Sequence, residues 1–276
     1  MLDDISDYIY GAMLAGIQTV AHRHGYVCTF FSRQPSGATE ASHLELFESR
    51  QVDGLLFATF HKRDPLEVRL LAQSQKPIVL IGEHHGALYV PSVDIDNALG
   101  TMEEVSYMIR QGRRRIAYLS GPEMMSASEA RLNGYEQALE MSGTPIDAAL
   151  IEPTLWSVEG GYKATKRLMA RTTFDALVGS NSYCSYGAVL ALKEAGWSIP
   201  EDVAVAAFDD DALCRYTSPS LTTLSQPLTR MGEIAAEQLA ARIREENVDR
   251  SAIYVQPQLI LRASTAARTD AFAKEG

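Results

Sequence analysis

An aspartate triplet, Asp209-Asp210-Asp211, follows the apolar run Val203-Ala204-Val205-Ala206-Ala207 and Phe208. A carboxylate there can accept hydrogen bonds from ligand hydroxyls or ligate a metal; otherwise it simply caps the segment that follows. Three adjacent aspartates cannot all point one way, so a metal site made of them alone is not expected. Arg131 lies in a helical stretch ending in Leu132-Asn133-Gly134-Tyr135. Its planar fork suits two vicinal hydroxyls or a carboxylate, and the alternative is an ordinary surface arginine. Trp156 precedes Ser157 and a helical stretch; an indole there can stack on the apolar face of a sugar ring or fill a core. Asn181 follows the run Ala176-Leu177-Val178-Gly179. Its amide both donates and accepts, although helix N-capping is the usual role of asparagine at that place.

The histidines offer less. His22 and His24 are two apart and share no helix face, and His84-His85 beside Glu83 lack an identifiable third ligand. The chain has no Gly-x-Ser-x-Gly, no phosphate loop and no Gly-x-Gly-x-x-Gly. No nucleophile–base pair emerges. Binding is therefore expected rather than catalysis, with no cofactor and no metal.

These residues need a scaffold. Short apolar runs alternate with amphipathic stretches along the chain. Helices are expected over residues 11–24, 39–50, 65–74, 97–111, 127–142, 157–171 and 183–195. Strands are expected at Val27–Phe31, Val52–Ala58, Pro77–Ile81, Val93–Ile95 and Arg115–Leu119, then near 148–151, 175–179 and 203–208. Apolar strands alternating with helices specify parallel sheets covered on both faces. Two sheets of about six strands account for the count. Ligands of such sheets sit at the carboxyl ends of the strands, which is where Asp209 and Asn181 fall. The tail after Ser264 is expected to fray.

Composition narrows the class further. The 276 residues suit about two lobes, and 46% hydrophobic with 22% charged residues is ordinary for a folded protein. The formal charge is −10. Duplex affinity rests largely on Lys and Arg neutralising phosphates, so this acidic chain is a poor nucleic-acid binder by itself. Cys28, Cys184 and Cys214 are few and scattered, with no Cys-x-x-Cys pair. Free thiols suit a reducing cytoplasm, and neither a signal peptide nor a membrane span is read from the sequence.

Several stretches, taken in order, resemble the effector-binding core of the lactose-repressor/galactose-repressor (LacI/GalR) family of bacterial transcription regulators. Asp4-Ile5-Ser6-Asp7-Tyr8-Ile9-Tyr10 resembles the family's Asp-x-Ser-Asn-Pro-Phe-Phe. Ser92–Asn97 resembles its lobe-crossing strand, and Gly112–Pro122 is similar to its Gly-His-Arg-Arg-Ile-Ala signature. Arg131–Tyr135 is similar to Arg-x-x-Gly-Phe. Ile199–Val205 with Phe208-Asp209-Asp210 is similar to Pro-Glu-Asp-Val and Gly-Phe-Asp-Asp. Pro219–Pro227 and Leu261–Thr265 are similar to Pro-x-Leu-Thr-Thr-x-x-Gln and Arg-x-Ser-Thr. The likeness covers nearly the whole chain.

The resemblance implies an α/β fold of the type I periplasmic-binding-protein kind: two Rossmann-like lobes with parallel sheets, joined by three crossovers. The N-terminal lobe would be residues 1–95 plus 227–252, and the C-terminal lobe 96–226 plus 253–276. A small-molecule effector would lie between them, a sugar or polyol, with a purine-like ligand as the alternative. Its implied contacts are Arg131 and Asp209 for hydroxyls, Trp156 for stacking, and Asn181 and Gln226 as further polar groups. Tyr8, Ile9 and Tyr10 stand where the family has Pro-Phe-Phe, making Tyr10 the aromatic wall beside Tyr8. Glu83 stands near the place of a family aspartate, and Ser182 replaces the aspartate that usually follows the asparagine.

A cytoplasmic homodimer is implied, without membrane contact. It would reach operator DNA only through a helix-turn-helix headpiece that precedes this core in the family and is absent from these residues. The rival readings are a sugar-binding protein that feeds a transporter, which shares the fold, and a hydrolase using Asp209 and Glu83.

Overall fold

A computed structural model describes residues 8–31, 52–58, 60–62, 69, 71, 73–74, 76–82, 90–246, 249 and 251–266. The chain divides into two compact units. The first comprises Met1–Ile95 with Pro227–Gln256, the second Asp96–Gln226 with Pro257–Gly276. The polypeptide thus passes from unit to unit three times. The last passage follows Gln256, not residue 252, because the strand Ala252–Val255 pairs along Ser92–Ile95 in the first unit.

In the first unit, helix α1 (Tyr8–Arg23) precedes strands β1 (Leu55–Ala58), β2 (Ile78–Ile81) and β3 (Ser92–Ile95). Helix α6 (Leu228–Ile243) and strand β9 (Ala252–Val255) belong to the same unit. The described strands form a parallel sheet in the order β1-β2-β3-β9. Its strands read Leu-Leu-Phe-Ala and Ile-Val-Leu-Ile, runs that suit a sheet buried on both faces. Helix α6 is not among the expected helices. Its apolar positions Leu228, Met231, Ala235 and Ala236 are buried at helical spacing, but small alanines give a weak hydrophobic period.

The expected strand Val27–Phe31 joins neither sheet. Its composition favours a strand, yet a strand exists only against a neighbour, and no described strand pairs with it. The expected helix at 39–50 lies outside the described residues, as do most of 65–74 and all after residue 266.

The second unit is a six-stranded sheet in the order β10-β8-β7-β6-β4-β5. Its strands are β4 (Ile116–Ser120), β5 (Ile151–Pro153), β6 (Ala176–Gly179), β7 (Ala204–Phe208), β8 (Thr222–Ser225) and β10 (Gln258–Ile260). All neighbours run parallel except β10, which pairs antiparallel with β8. Its helices are α2 (Asn97–Arg110), α3 (Ser126–Met141), α4 (Val158–Arg171) and α5 (Ser182–Glu194).

Alternation along the strands divides its core. Ala117, Leu119, Leu177 and Val205 pack with Leu168 of α4 and Leu192 of α5. Ile116, Tyr118, Val178 and Ala206 pack with Val105 and Met108 of α2 and Tyr135 and Leu139 of α3. Helices therefore cover both faces, as the period-two strand geometry requires. Gly134 lets α3 lie close on α2, since a Cβ there would fall 2.2 Å from the Ala98 carbonyl oxygen. Arg262 and Ser264 tie the chain's last described segment to the sheet. Arg262 meets Asp210 at 2.7 Å, and the Ser264 hydroxyl donates to Val205 at 2.6 Å.

Candidate functional site

Four strands of the second unit end at the candidate residues. Trp156 follows β5, Ser180 and Asn181 follow β6, Asp209 follows β7 and Gln226 follows β8. Strand order reverses around β4, with β5 on one side and β6 on the other. Crevices of open α/β sheets form at the carboxyl ends of strands beside such a reversal. Arg131, from α3 between β4 and β5, enters the same neighbourhood.

Arg131 is 4% exposed. Its Nε donates to Asn97 Oδ1 at 2.8 Å, and Nη1 donates to the Ser180 carbonyl at 2.5 Å. Its guanidinium carbon stands 3.5 Å from the centre of the Phe208 ring and 5.1 Å from that of Trp156. Cation–π attraction strengthens when the cation is desolvated. Nη1 also lies 3.9 Å from Asp209 Oδ2. Nη2 makes no hydrogen bond among the described residues.

Asp209 adopts φ 76°, the left-handed region that aspartate tolerates better than most residues. There its carboxylate is held by the Gln226 amide, whose Nε2 donates to Oδ1. The other two aspartates point elsewhere. Asp210 pairs with Arg262 and accepts from Thr223 Oγ1 at 2.9 Å. Asp211 caps the short 3-10 turn Ala212–Arg215, accepts from Ser182 Oγ at 2.6 Å and meets the Tyr186 hydroxyl. Among the described residues no cluster of three or more His, Cys, Asp or Glu could hold a metal ion.

Trp156 donates from Nε1 to Ser180 Oγ at 2.8 Å, which fixes the indole plane. Gly121 makes room for it, because a Cβ there would approach the indole nitrogen to 2.5 Å and Ser128 Oγ to 2.3 Å. Asn181 caps α5, its Oδ1 accepting from the Cys184 N–H at 2.9 Å. The structure thus brings Arg131, Trp156, Asn181, Asp209 and Gln226 together. Tyr8 and Tyr10 lie on α1 in the first unit. Tyr8 is half-buried; Tyr10 is buried, its ring 5.9 Å from that of Phe60. Glu83 and the His84-His85 pair lie outside the described residues. His24 meets Glu237 at 2.8 Å and stands near Arg244, a surface cluster.

Glu104 is a residue that sequence reasoning misses. It is fully buried on α2, and neither carboxylate oxygen has a hydrogen-bond partner among the described residues. Burial pushes its pKa up to about 8; Arg131 nearby opposes that rise and Asp209 adds to it. The signal is present: Glu104 shares the buried phase of Thr101, Val105 and Met108. The Thr101, Tyr118 and Ser128 hydroxyls are likewise buried without partners among the described residues.

Known proteins share this architecture. Residues 105–265 match the periplasmic binding protein-like domain family. A helix-turn-helix (HTH) transcriptional regulator encoded upstream of aml in Streptomyces limosus is 32% identical over 95% of this chain and 77% of its own length. The repressor CytR of Escherichia coli K12 is 30% identical over 97% of this chain and 78% of its own. Among solved structures, the regulator CelR in complex with cellobiose superposes with TM-score 0.84 at 28% identity, covering 95% of this chain and 83% of CelR. A LacI-family regulator from Chloroflexus aggregans gives TM-score 0.88 at 29% identity, with 94% and 92% covered.

These relatives are regulators, not transporter components, so the transporter reading falls. No helix among the described residues is long and apolar enough to cross a membrane. With a buried arginine, an aspartate and an indole gathered at the strand ends of a periplasmic-binding-protein-like unit, the chain belongs to the LacI family of helix-turn-helix transcriptional regulators and carries their effector-sensing core.

Proposed function

We propose that the effector is a sugar or a related polyol and that its contacts in the second unit are Arg131, Trp156, Asn181, Asp209 and Gln226. The observation that carries this reading is the buried Arg131–Asp209 pair beside the Trp156 ring. A guanidinium fork and a carboxylate address vicinal hydroxyls as donor and acceptor, while an indole receives the C–H face of a pyranose or furanose. CelR, a relative of the same fold, binds the disaccharide cellobiose, which supports the sugar class. The reading is one of sensing without turnover.

The regulated output is operator binding by a homodimer, with DNA contacted by a headpiece outside these 276 residues. Effector binds one arrangement of the dimer better than another and shifts the population between them. A thermal-shift screen against sugars, polyols and nucleobases tests the effector class. A sugar or polyol should raise the melting temperature, and the shift should vanish in both Arg131→Ala and Asp209→Ala while circular dichroism shows each variant folded. Retention of the full shift in both variants would overturn the assignment.

A further inference from the structure

The interior of the second unit holds an acid that the effector contacts do not include. Glu104 of α2 is completely buried, and neither of its oxygens has a hydrogen-bond partner among the described residues. The same holds for the hydroxyls of Thr101, one turn earlier on α2, and of Tyr118 on β4, which feels the Glu104 charge. Polar groups buried in that state cost stability and call for an explanation. Asn97 and Glu104 are seven residues apart, two helical turns, so they share one face of α2. Helical side chains lean toward the N-terminus of their helix, which carries the Glu104 carboxyl toward the Asn97 end. Asn97 is the residue that holds Arg131, accepting from Nε at 2.8 Å. One helix face thus presents an anchor for the guanidinium and, two turns on, an unpaired acid.

Titratable groups surround Glu104 from several elements. Arg131 comes from α3 and Asp209 from the end of β7, and their charges act on Glu104 in opposite senses. Tyr118 comes from β4, with Tyr135 of α3 stacked on it at 4.8 Å and Cys184 of α5 close enough to act on it. Strands β8 and β10, which also pack on α2, carry no titratable residue. Burial raises both tyrosine hydroxyls and pushes the Cys184 thiol up to about 11, so Glu104, at about 8, titrates before any of these three. An ionised carboxylate is not left unpaired in a protein interior, and Arg131 is the one cation of this group. We propose that Glu104 is a positioning residue for Arg131: as a neutral acid it leaves the guanidinium over the Phe208 ring and beside Trp156, and as a carboxylate it draws the guanidinium toward itself along α2. Combined with the effector reading above, on which this consequence rests, the neutral acid is the form that binds effector well.

The proton itself is the probe, and no sugar is added. The chain has two tryptophans, so Trp197→Phe leaves Trp156, 5.1 Å from the Arg131 guanidinium carbon, as the sole indole. In that background, labelled with nitrogen-15 arginine, the Arg131 Nε–H resonance is identified by its loss in Arg131→Lys. That resonance and the Trp156 emission are followed between about pH 6 and 9, with circular dichroism showing the chain folded throughout. Both signals should shift with one common midpoint near pH 8, and both shifts should be lost when Glu104→Gln is added. Constancy of both signals would overturn the proposal. So would shifts that persist in Glu104→Gln, which would place their source in another group. A moving arginine signal with unchanged Trp156 emission would mean that the carboxylate's field reaches the guanidinium without displacing it, and would overturn the proposal likewise. None of these outcomes bears on whether Arg131 contacts effector, which the thermal-shift comparison decides separately.

Discussion

The Arg131 guanidinium stands 3.9 Å from the Asp209 carboxylate, with side chains only 5% and 8% exposed. Neither charge depends on the other alone. Asn97, Ser180 and the Phe208 ring hold the arginine, and Gln226 holds the aspartate. The pair is therefore set in place with its separation just beyond a direct hydrogen bond.

Truncating either partner takes a buried countercharge from the other. Arg131→Ala removes the cation 3.9 Å from Asp209 and empties the face of Phe208. Loss of one member of a buried pair costs about 3 kcal/mol or more, and urea unfolding should show a fall of that size. Asp209→Asn keeps the Gln226 contact through the amide and should cost less, while weakening effector binding.

Glu104 makes stability pH-dependent. Its pKa is raised from the ordinary 4.5 to about 8 in the folded chain. The folded state therefore holds a proton that the unfolded state releases between those values. Stability from this group is intact below about pH 4.5 and falls as pH rises to about 8, by about 1.4 kcal/mol per unit at most. Glu104→Gln lacks the titration. Thermal melts of the two proteins between pH 5 and 8 should diverge as pH rises, with the variant the more stable at the alkaline end; parallel curves would remove Glu104 from the account.

Much of this arrangement is legible in the amino-acid sequence. Strand ends marked by Asp209 and Asn181 follow from apolar runs that stop at polar residues, a local signal. Arg131 can be singled out as a fork but not placed, because its partners Asn97 and Ser180 are 34 and 49 residues away in sequence. The strand expected at Val27–Phe31 shows the reverse case: composition states a preference, and pairing is a property of a neighbour that the segment itself does not contain. Glu104 is hidden because a glutamate beside Glu103 reads as a solvated pair, although only one of the two lies on the buried face.

Gly121→Ala tests the indole's seating without removing a polar group. The added methyl would meet Trp156 Nε1 and Ser128 Oγ well inside contact distance, so the ring must turn or withdraw. Overpacking of this kind costs about 1–3 kcal/mol. Effector affinity measured by calorimetry should drop, and the fluorescence of Trp156 should shift as its bond to Ser180 breaks. Unchanged affinity would mean that the indole does not contact the effector.

Asn181 has two roles to separate. Its Oδ1 caps α5, and removing a cap costs about 1 kcal/mol, so Asn181→Ala should lower stability by that amount. Asn181→Asp preserves the cap, because a carboxylate oxygen accepts the Cys184 N–H equally well and suits the positive end of the helix dipole. It removes the amide's donors. If Asn181 also binds effector, the aspartate variant should melt within a degree or two of the parent yet bind more weakly, with the alanine variant impaired in both. An aspartate variant that keeps full affinity would confine Asn181 to capping.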